Sequence, residues 1–282
     1  MNVTKIVWRS VTNLYCAAKC CVHVSRRLYS GFLPVNDTML HYERQGTAKE
    51  TILCIPGALG CARSDFSYQL DHLSSDFTVI AFDPRGYGQS QKLKRDFPPD
   101  FYHRDAADGA ILMRKLGFQK YSVLGWSDGG IAGIILSAQE HEAVQKFVLW
   151  GSNAFVCNED RLLVEKTRDL DKWSERMKKP LEVLYGKEGL TELWNNWMDA
   201  FFRFIDKPNG DICISELQEI QCPTLIIHGA KDSLVPTIHP EFIHRNIKKS
   251  KLVIWPEGKH NLHMRFFKEF NELVKSFLLE ES

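Results

Sequence analysis

A chain of 282 residues, 44% hydrophobic, has the length of one large domain or two small ones and can bury a full core. Its 36 Lys and Arg nearly balance 35 Asp and Glu, and the net charge of +1 gives no electrostatic footprint for nucleic acid or an anionic membrane surface. No run of 18 apolar residues is present for a membrane-spanning helix, and Gly and Pro are too scattered for a low-complexity chain.

The charge is uneven along the chain. Residues 1–29 carry Lys5, Arg9, Lys19, Arg26 and Arg27 and no acid, leaving the remainder at net −4. Val3, Ile6, Val7, Val11 and Leu14 fall on one helical face, with Lys5, Arg9 and Thr12 opposite. Hydroxyls come from Thr4, Ser10, Thr12 and Ser25. A basic, acid-free, hydroxyl-bearing amphipathic segment is the pattern of a mitochondrial presequence. Arg27-Leu28-Tyr29-Ser30 places an Arg two residues before an expected cut after Tyr29. A packed or disordered arm is the plainer alternative; Lys19 interrupts the apolar run that a secretory signal would need.

Downstream, Phe32 to Gln45 reads as an edge hairpin turning at Asn36-Asp37. Short apolar runs follow at Thr51–Pro56, Phe77–Phe82, Tyr121–Trp126, Lys146–Trp150, Pro223–Gly229 and Lys251–Trp255. They are rich in Val, Ile and Leu without strict alternation, as in parallel strands covered on both faces. Helical patterns at Phe101–Leu116, Gly129–Glu140, His239–Ile247 and Leu262–Leu279 separate most of them, which predicts an α/β fold with a mostly parallel sheet. Residues 155–220 break the alternation. They are charged and helix-prone, hold Trp173, Trp194 and Trp197, and are expected to form a helical cap over the carboxyl edge of the sheet.

Eight cysteines are present, three of them (Cys16, Cys20, Cys21) in the basic segment. The five others, Cys54, Cys61, Cys157, Cys213 and Cys222, have neither paired nor zinc-type spacing, so a reduced compartment and no metal are expected.

Gly125-Trp126-Ser127-Asp128-Gly129 is a G-x-S-x-G that follows a strand and opens a helix. This context marks a nucleophile elbow, with the Ser on a strained turn and a helix N-terminus aimed at developing negative charge. A helix-capping Ser is the alternative. A Ser needs a base, and in this architecture the order is Ser, acid, His. Asp232 lies in the loop after Pro223–Gly229, and His260 in the loop after Lys251–Trp255. Competing groups fit less well. His263 is expected to pack or cap, with mild effects when removed; His228 ends a strand; His103 stands in the wrong order; Glu257 and Asp211 are expected to be solvated. The oxyanion hole is expected from the backbone N–H groups of Asp128 and Ala58, with Leu59 the alternative to Ala58. A carboxylate directly after the nucleophile suits a substrate carrying a positive charge; the plainer role for Asp128 is to cap the helix.

The elbow, the P-G-x-x-G loop at Pro56–Gly60, the D-P-R-G-Y-G-x-S loop at Asp83–Ser90 and the terminal G-K-H resemble the α/β-hydrolase fold family over residues 30–282. Gly125–Gly130, Lys172–Arg176 and Pro256–His263 resemble the biphenyl-hydrolase-like branch of that family. The resemblance implies a serine hydrolase of α-amino-acid esters with a mitochondrial address and no cofactor. It implies Ser127, Asp232 and His260 as the triad and Asp128 as the residue binding the substrate amine. A Ser at the elbow argues against the dehalogenase and epoxide-hydrolase branches, which use Asp there. A small-molecule ester with a free amino group is the expected partner, and the chain is expected to be a monomer. The alternatives are a carbon–carbon bond hydrolase and a non-catalytic binding module on the same scaffold.

Overall fold

The computed structural model describes residues 28–280, so almost all of the basic N-terminal segment, and with it the expected targeting helix, lies outside the described residues. β1 (Tyr29–Val35) and β2 (Thr38–Gln45) form the edge hairpin, and Asn36 takes a φ of 50° in its turn, a conformation Asn tolerates. β3 (Thr51–Ile55), β4 (Thr78–Phe82), β5 (Tyr121–Trp126), β6 (Val144–Trp150), β7 (Thr224–Gly229) and β8 (Ser250–Trp255) complete an eight-stranded sheet in the order β1-β2-β4-β3-β5-β6-β7-β8. The β1–β2 and β2–β4 pairs are antiparallel; from β4 to β8 every pair is parallel.

Both faces of this sheet are covered, which explains why its strands read as unbroken apolar runs. On one face Ile52, Cys54, Leu124 and Val148 meet Phe66 and Leu70 of α1 (Ala62–Leu73) and Phe270 and Val274 of α10 (Phe267–Leu279). On the other, Leu53, Ile55, Val123 and Phe147 meet α2 (Phe101–Lys115), α3 (Asp128–Gln139) and α8 (Ile238–Asn246). Burial of each large side chain contributes about 1.5–3 kcal/mol, so the sheet is a stiff platform for its loops. Strand order reverses between β3 and β5. A reversal of this kind marks the carboxyl edge where open α/β sheets bind their ligands.

Between β6 and β7 the chain leaves the sheet to form α4 (Asn158–Glu165), α5 (Glu175–Tyr185), α6 (Lys187–Phe202) and α7 (Glu216–Glu219). Trp194, Trp197 and Phe201 of α6 stack in series, with centroids 4.6 and 5.1 Å apart.

Two elements differ from the sequence expectation. Helix α1 has no counterpart in it, because its apolar Phe66, Leu70 and Leu73 are interleaved with Asp65 and Gln69, which are also buried. The expected helix over 262–279 is two helices, α9 (Leu262–Arg265) and α10, broken at Phe266 (φ −116°, ψ 42°).

Candidate active site

Ser127 follows β5 with φ 56° and ψ −121°, a left-handed conformation costly for any residue with a side chain. The turn is possible because its flanking positions lack side chains. A Cβ at Gly129 would lie 1.9 Å from the Ile55 carbonyl oxygen, and one at Gly125 would lie 2.4 Å from that of Gly129. The Ser127 N–H donates to the Trp150 carbonyl (3.0 Å), tying the elbow to β6. The Ser127 side chain makes no capping hydrogen bond to α3, so it is free for other work.

The loops after β7 and β8 bring Asp232 and His260 to the same edge. The Asp232 side chain is buried, and its Oδ1 accepts from the N–H groups of Leu234 (2.9 Å) and Val235 (3.1 Å). Oδ2 accepts from Nδ1–H of His260 at 2.9 Å. Burial raises the Asp232 pKa, but His260 and the two amides more than offset it and hold the carboxyl below its ordinary range. With its proton on Nδ1, His260 presents Nε2 as the acceptor for the Ser127 hydroxyl at 3.1 Å. Trp126 Nε1–H donates to the His260 carbonyl (2.9 Å) and holds its loop. The structure thus joins Ser127, His260 and Asp232 in one hydrogen-bonded line.

All but one of the competing residues are engaged elsewhere. His263 is fully buried. Its Nδ1 accepts from Trp150 Nε1–H (2.9 Å), which leaves the proton on Nε2, and Nε2 donates to the Asp65 carbonyl (3.1 Å). Burial drives its pKa down to about 3. The expectation that its removal is mild concerns turnover; for stability the ring fills space between Trp126 and Trp150 and satisfies a buried indole. His103 pairs with Glu216 (2.9 Å), Glu257 with Lys231 (2.5 Å), and Asp211 accepts from the Ile214 amide (2.7 Å). His228 is buried at the end of β7, and its Nδ1 has no partner among the described residues.

Asp128 does not cap α3 with its side chain. Oδ1 accepts from the Tyr102 hydroxyl of α2 (3.0 Å) and Oδ2 from Trp197 Nε1–H of α6 (2.6 Å). Loss of water raises its pKa to about 6, while the Trp197 and Tyr102 hydrogen bonds and the charge of Arg95 pull the other way. Arg95 is buried in a two-pronged pair with Asp105 (2.8 and 2.6 Å). The second cap contact is Tyr185 of α5, whose hydroxyl donates to the Leu59 carbonyl (2.8 Å) and accepts from the Gly88 amide (2.9 Å). Tyr102, Trp197 and Tyr185 were not singled out for the site from the sequence. Each reaches it from a helix remote in the chain, and only the aromatic richness of 155–220 hinted at such a wall.

In the loop after β3, the Gly57 amide donates to Asp65 Oδ2 and the Gly60 amide to the Gly57 carbonyl. This leaves the amide of Ala58, since the Leu59 amide faces the Tyr87 hydroxyl. The Asp83–Ser90 loop is held from within, where Gln89 donates its amide to Asp83 and Ser90 donates to the Asp83 carbonyl, and from α1, whose Ala62 amide donates to Asp83. One group with metal-ligating atoms occurs among the described residues, Cys157, Asp160 and His239, within 4.8 Å of one another. Both Asp160 oxygens are already occupied there, by His239 Nε2–H (2.7 Å) and the Cys157 amide (2.7 Å). The five cysteines of the body are free thiols.

The family described as alpha/beta hydrolase fold matches residues 50–173. Serine hydrolase BPHL of Homo sapiens and of Mus musculus are each 48% identical over 88% of this chain and 86% of their own. A 2-hydroxy-6-oxononadienedioate/2-hydroxy-6-oxononatrienedioate hydrolase of Pseudomonas putida is 27% identical over 86% of the chain and 92% of its own. Among solved structures, an esterase (EaEST) from Exiguobacterium antarcticum superposes with a TM-score of 0.71 at 22% identity, covering 89% of this chain and all of that one, which shows the fold. The chain belongs to the α/β-hydrolase fold family and is a serine hydrolase. Within that family it resembles the biphenyl-hydrolase-like enzymes, the branch to which the two BPHL proteins belong.

Proposed function

We propose that the protein hydrolyses esters of α-amino acids through an acyl-enzyme on Ser127. His260 takes the Ser127 proton as Oγ attacks the ester carbonyl, and Asp232 stabilises the resulting imidazolium. The amides of Asp128 and Ala58 hold the oxyanion. As the carbon–oxygen bond to the alcohol breaks, His260 returns its proton to the leaving alkoxide. Water, deprotonated by the same His260, then releases the amino acid and frees Ser127. These steps need no cofactor.

The observation that carries the substrate class is the Asp128 carboxylate. It stands next to the nucleophile and is held by Tyr102 and Trp197, with no cationic partner in direct hydrogen-bond contact among the described residues. A bare carboxylate beside a forming oxyanion raises the barrier; a substrate ammonium one carbon from the scissile carbonyl removes that repulsion and is oriented by it. The test is a panel of aminoacyl esters, their N-acetylated forms and simple acyl esters. Equal kcat/KM across the three would sink the amine reading.

The alternative is the carbon–carbon bond hydrolase, a reading supported by the Pseudomonas putida relative. A dianionic substrate of the kind its name describes would meet the Asp128 charge at close range, and this disfavours it. A non-catalytic binding module would have no use for the Ser127–His260–Asp232 alignment; labelling by a fluorophosphonate separates the two. The basic residues 1–29 support a mitochondrial address, and a fusion of residues 1–35 to a fluorescent protein tests it, with diffuse cytosolic signal as the contrary result. The chain is proposed to act as a monomer.

A further inference from the structure

Asp65 sits in the first turn of α1 with 5% of its surface exposed, and no cation pairs with its carboxylate among the described residues. Oδ1 accepts from the Ser64 hydroxyl (2.5 Å) and Oδ2 from the Gly57 amide (3.0 Å). The turn Gly57–Gly60 wraps the carboxylate closely enough that a Cβ on Gly60 would lie 1.9 Å from Oδ2. On its other side the same turn touches the elbow, where a Cβ on Gly57 would lie 3.2 Å from the Ser127 Cβ. The backbone carbonyl of Asp65 meanwhile accepts from His263 Nε2–H, and His263 packs against Trp126, which holds the His260 loop.

We infer that Asp65 is a positioning residue for the oxyanion hole, its carboxylate fixing the Gly57 peptide so that the next amide of the turn faces the carbonyl under attack at Ser127. The inference rests on the serine-nucleophile reading above. A peptide plane held at its N–H cannot rotate, and the amide of Ala58 inherits that orientation through the closed turn. Burial lifts the Asp65 carboxyl to about 7 against the pull of its two hydrogen bonds, so this is a costly way to hold a turn that a neutral side chain could also close.

The test compares wild type with Asp65→Leu, which removes both acceptors, and Asp65→Asn. In the Asn variant the amide oxygen can still accept from Gly57, and its NH2 can donate to the Ser64 hydroxyl. Acylation is followed as the burst of p-nitrophenol from a p-nitrophenyl ester, and affinity for phenylboronic acid reports tetrahedral binding at Ser127. Asp65→Leu should acylate roughly 10²-fold more slowly, the scale of one lost oxyanion donor, with KM within about threefold of wild type. Boronate affinity should fall in step, and Asp65→Asn should restore most of both. If Asp65→Leu does not fold, Gly60→Ala tests the same contact by pushing the carboxylate from the turn, and should slow acylation while Asp65→Asn does not. Asp65→Leu, or Gly60→Ala in its place, acylating within threefold of wild type overturns the inference, as does an effect confined to KM. A wild type that gives no burst and takes no fluorophosphonate overturns the Ser127 assignment and this inference with it; a labelled wild type beside an unaffected variant overturns this inference alone.

Discussion

Replacing Asp128 by Asn changes the charge beside the nucleophile and little else. Trp197 Nε1 can only donate, so the amide oxygen of the new side chain must face it, and the NH2 then faces the Tyr102 hydroxyl, which can accept. Both hydrogen bonds and the side-chain volume survive. A hydrogen bond to a charged group is worth about 1.5–3 kcal/mol, so kcat/KM for aminoacyl esters should fall about 10- to 100-fold. Uncharged acyl esters should be unaffected or faster. The sharper assay is the ratio of kcat/KM for an aminoacyl ester to that for its N-acetyl form, measured against pH, because effects common to both substrates cancel in it. An α-amino group stays protonated below about pH 7.7, and the Asp65 carboxyl, lifted to about 7, acts on both substrates alike, so between pH 7 and 5 the ratio follows Asp128, lifted to about 6 in the free enzyme. Its carboxyl is ionised above that value and neutral below it, so the ratio should fall about tenfold from pH 7 to pH 5. In Asp128→Asn the ratio should be low and flat. A wild-type ratio that stays constant over this range, or a variant that slows charged and uncharged esters equally, refutes ammonium recognition by this carboxylate.

Trp197→Phe keeps the aromatic stack but removes a donor that favours the ionised Asp128, so the midpoint of the same ratio should move to higher pH. An unmoved midpoint would show that the indole only packs. Ser127→Ala and His260→Ala should each lower kcat by on the order of 10⁴–10⁶ with an unchanged circular dichroism spectrum; activity within tenfold of wild type removes either from the triad. His263→Ala should leave kcat near wild type but lose about 3 kcal/mol or more of stability, from a vacated core site and an unpaired Trp150 indole, read by urea unfolding. The folded-state pKa of His263, about 3, is depressed below the ordinary 6.5, so its contribution is complete above pH 6.5 and is lost as pH falls toward 3. The stability difference between variant and wild type should therefore shrink by about 1.4 kcal/mol per pH unit below 6.5; a difference independent of pH would mean the buried ring is not held neutral.

What was legible in the sequence is what lies within a few residues of a strand end. The elbow at Ser127 reads directly, because the strand, the two small flanking positions and the helix are contiguous. Asp232 and His260 each follow an apolar run, and the order Ser, acid, His selects them among several acids and histidines before any distance is known. The geometry around Asp128 and Asp65 could not be read this way. Tyr102 and Trp197 lie 26 and 69 residues from Asp128 in sequence, and no periodicity ties them to it. Asp65 was hidden for a different reason: α1 buries Asp65, bound to the Gly57 amide, and Gln69, bound to Asn271, beside Phe66 and Leu70, and these buried polar residues erase the amphipathic signal that would have revealed the helix. A buried polar side chain must be satisfied by a specific partner, and here that partner is a loop amide at the carboxyl edge of the sheet, so the helix that breaks the apolar pattern is also the one that grips the loop after β3.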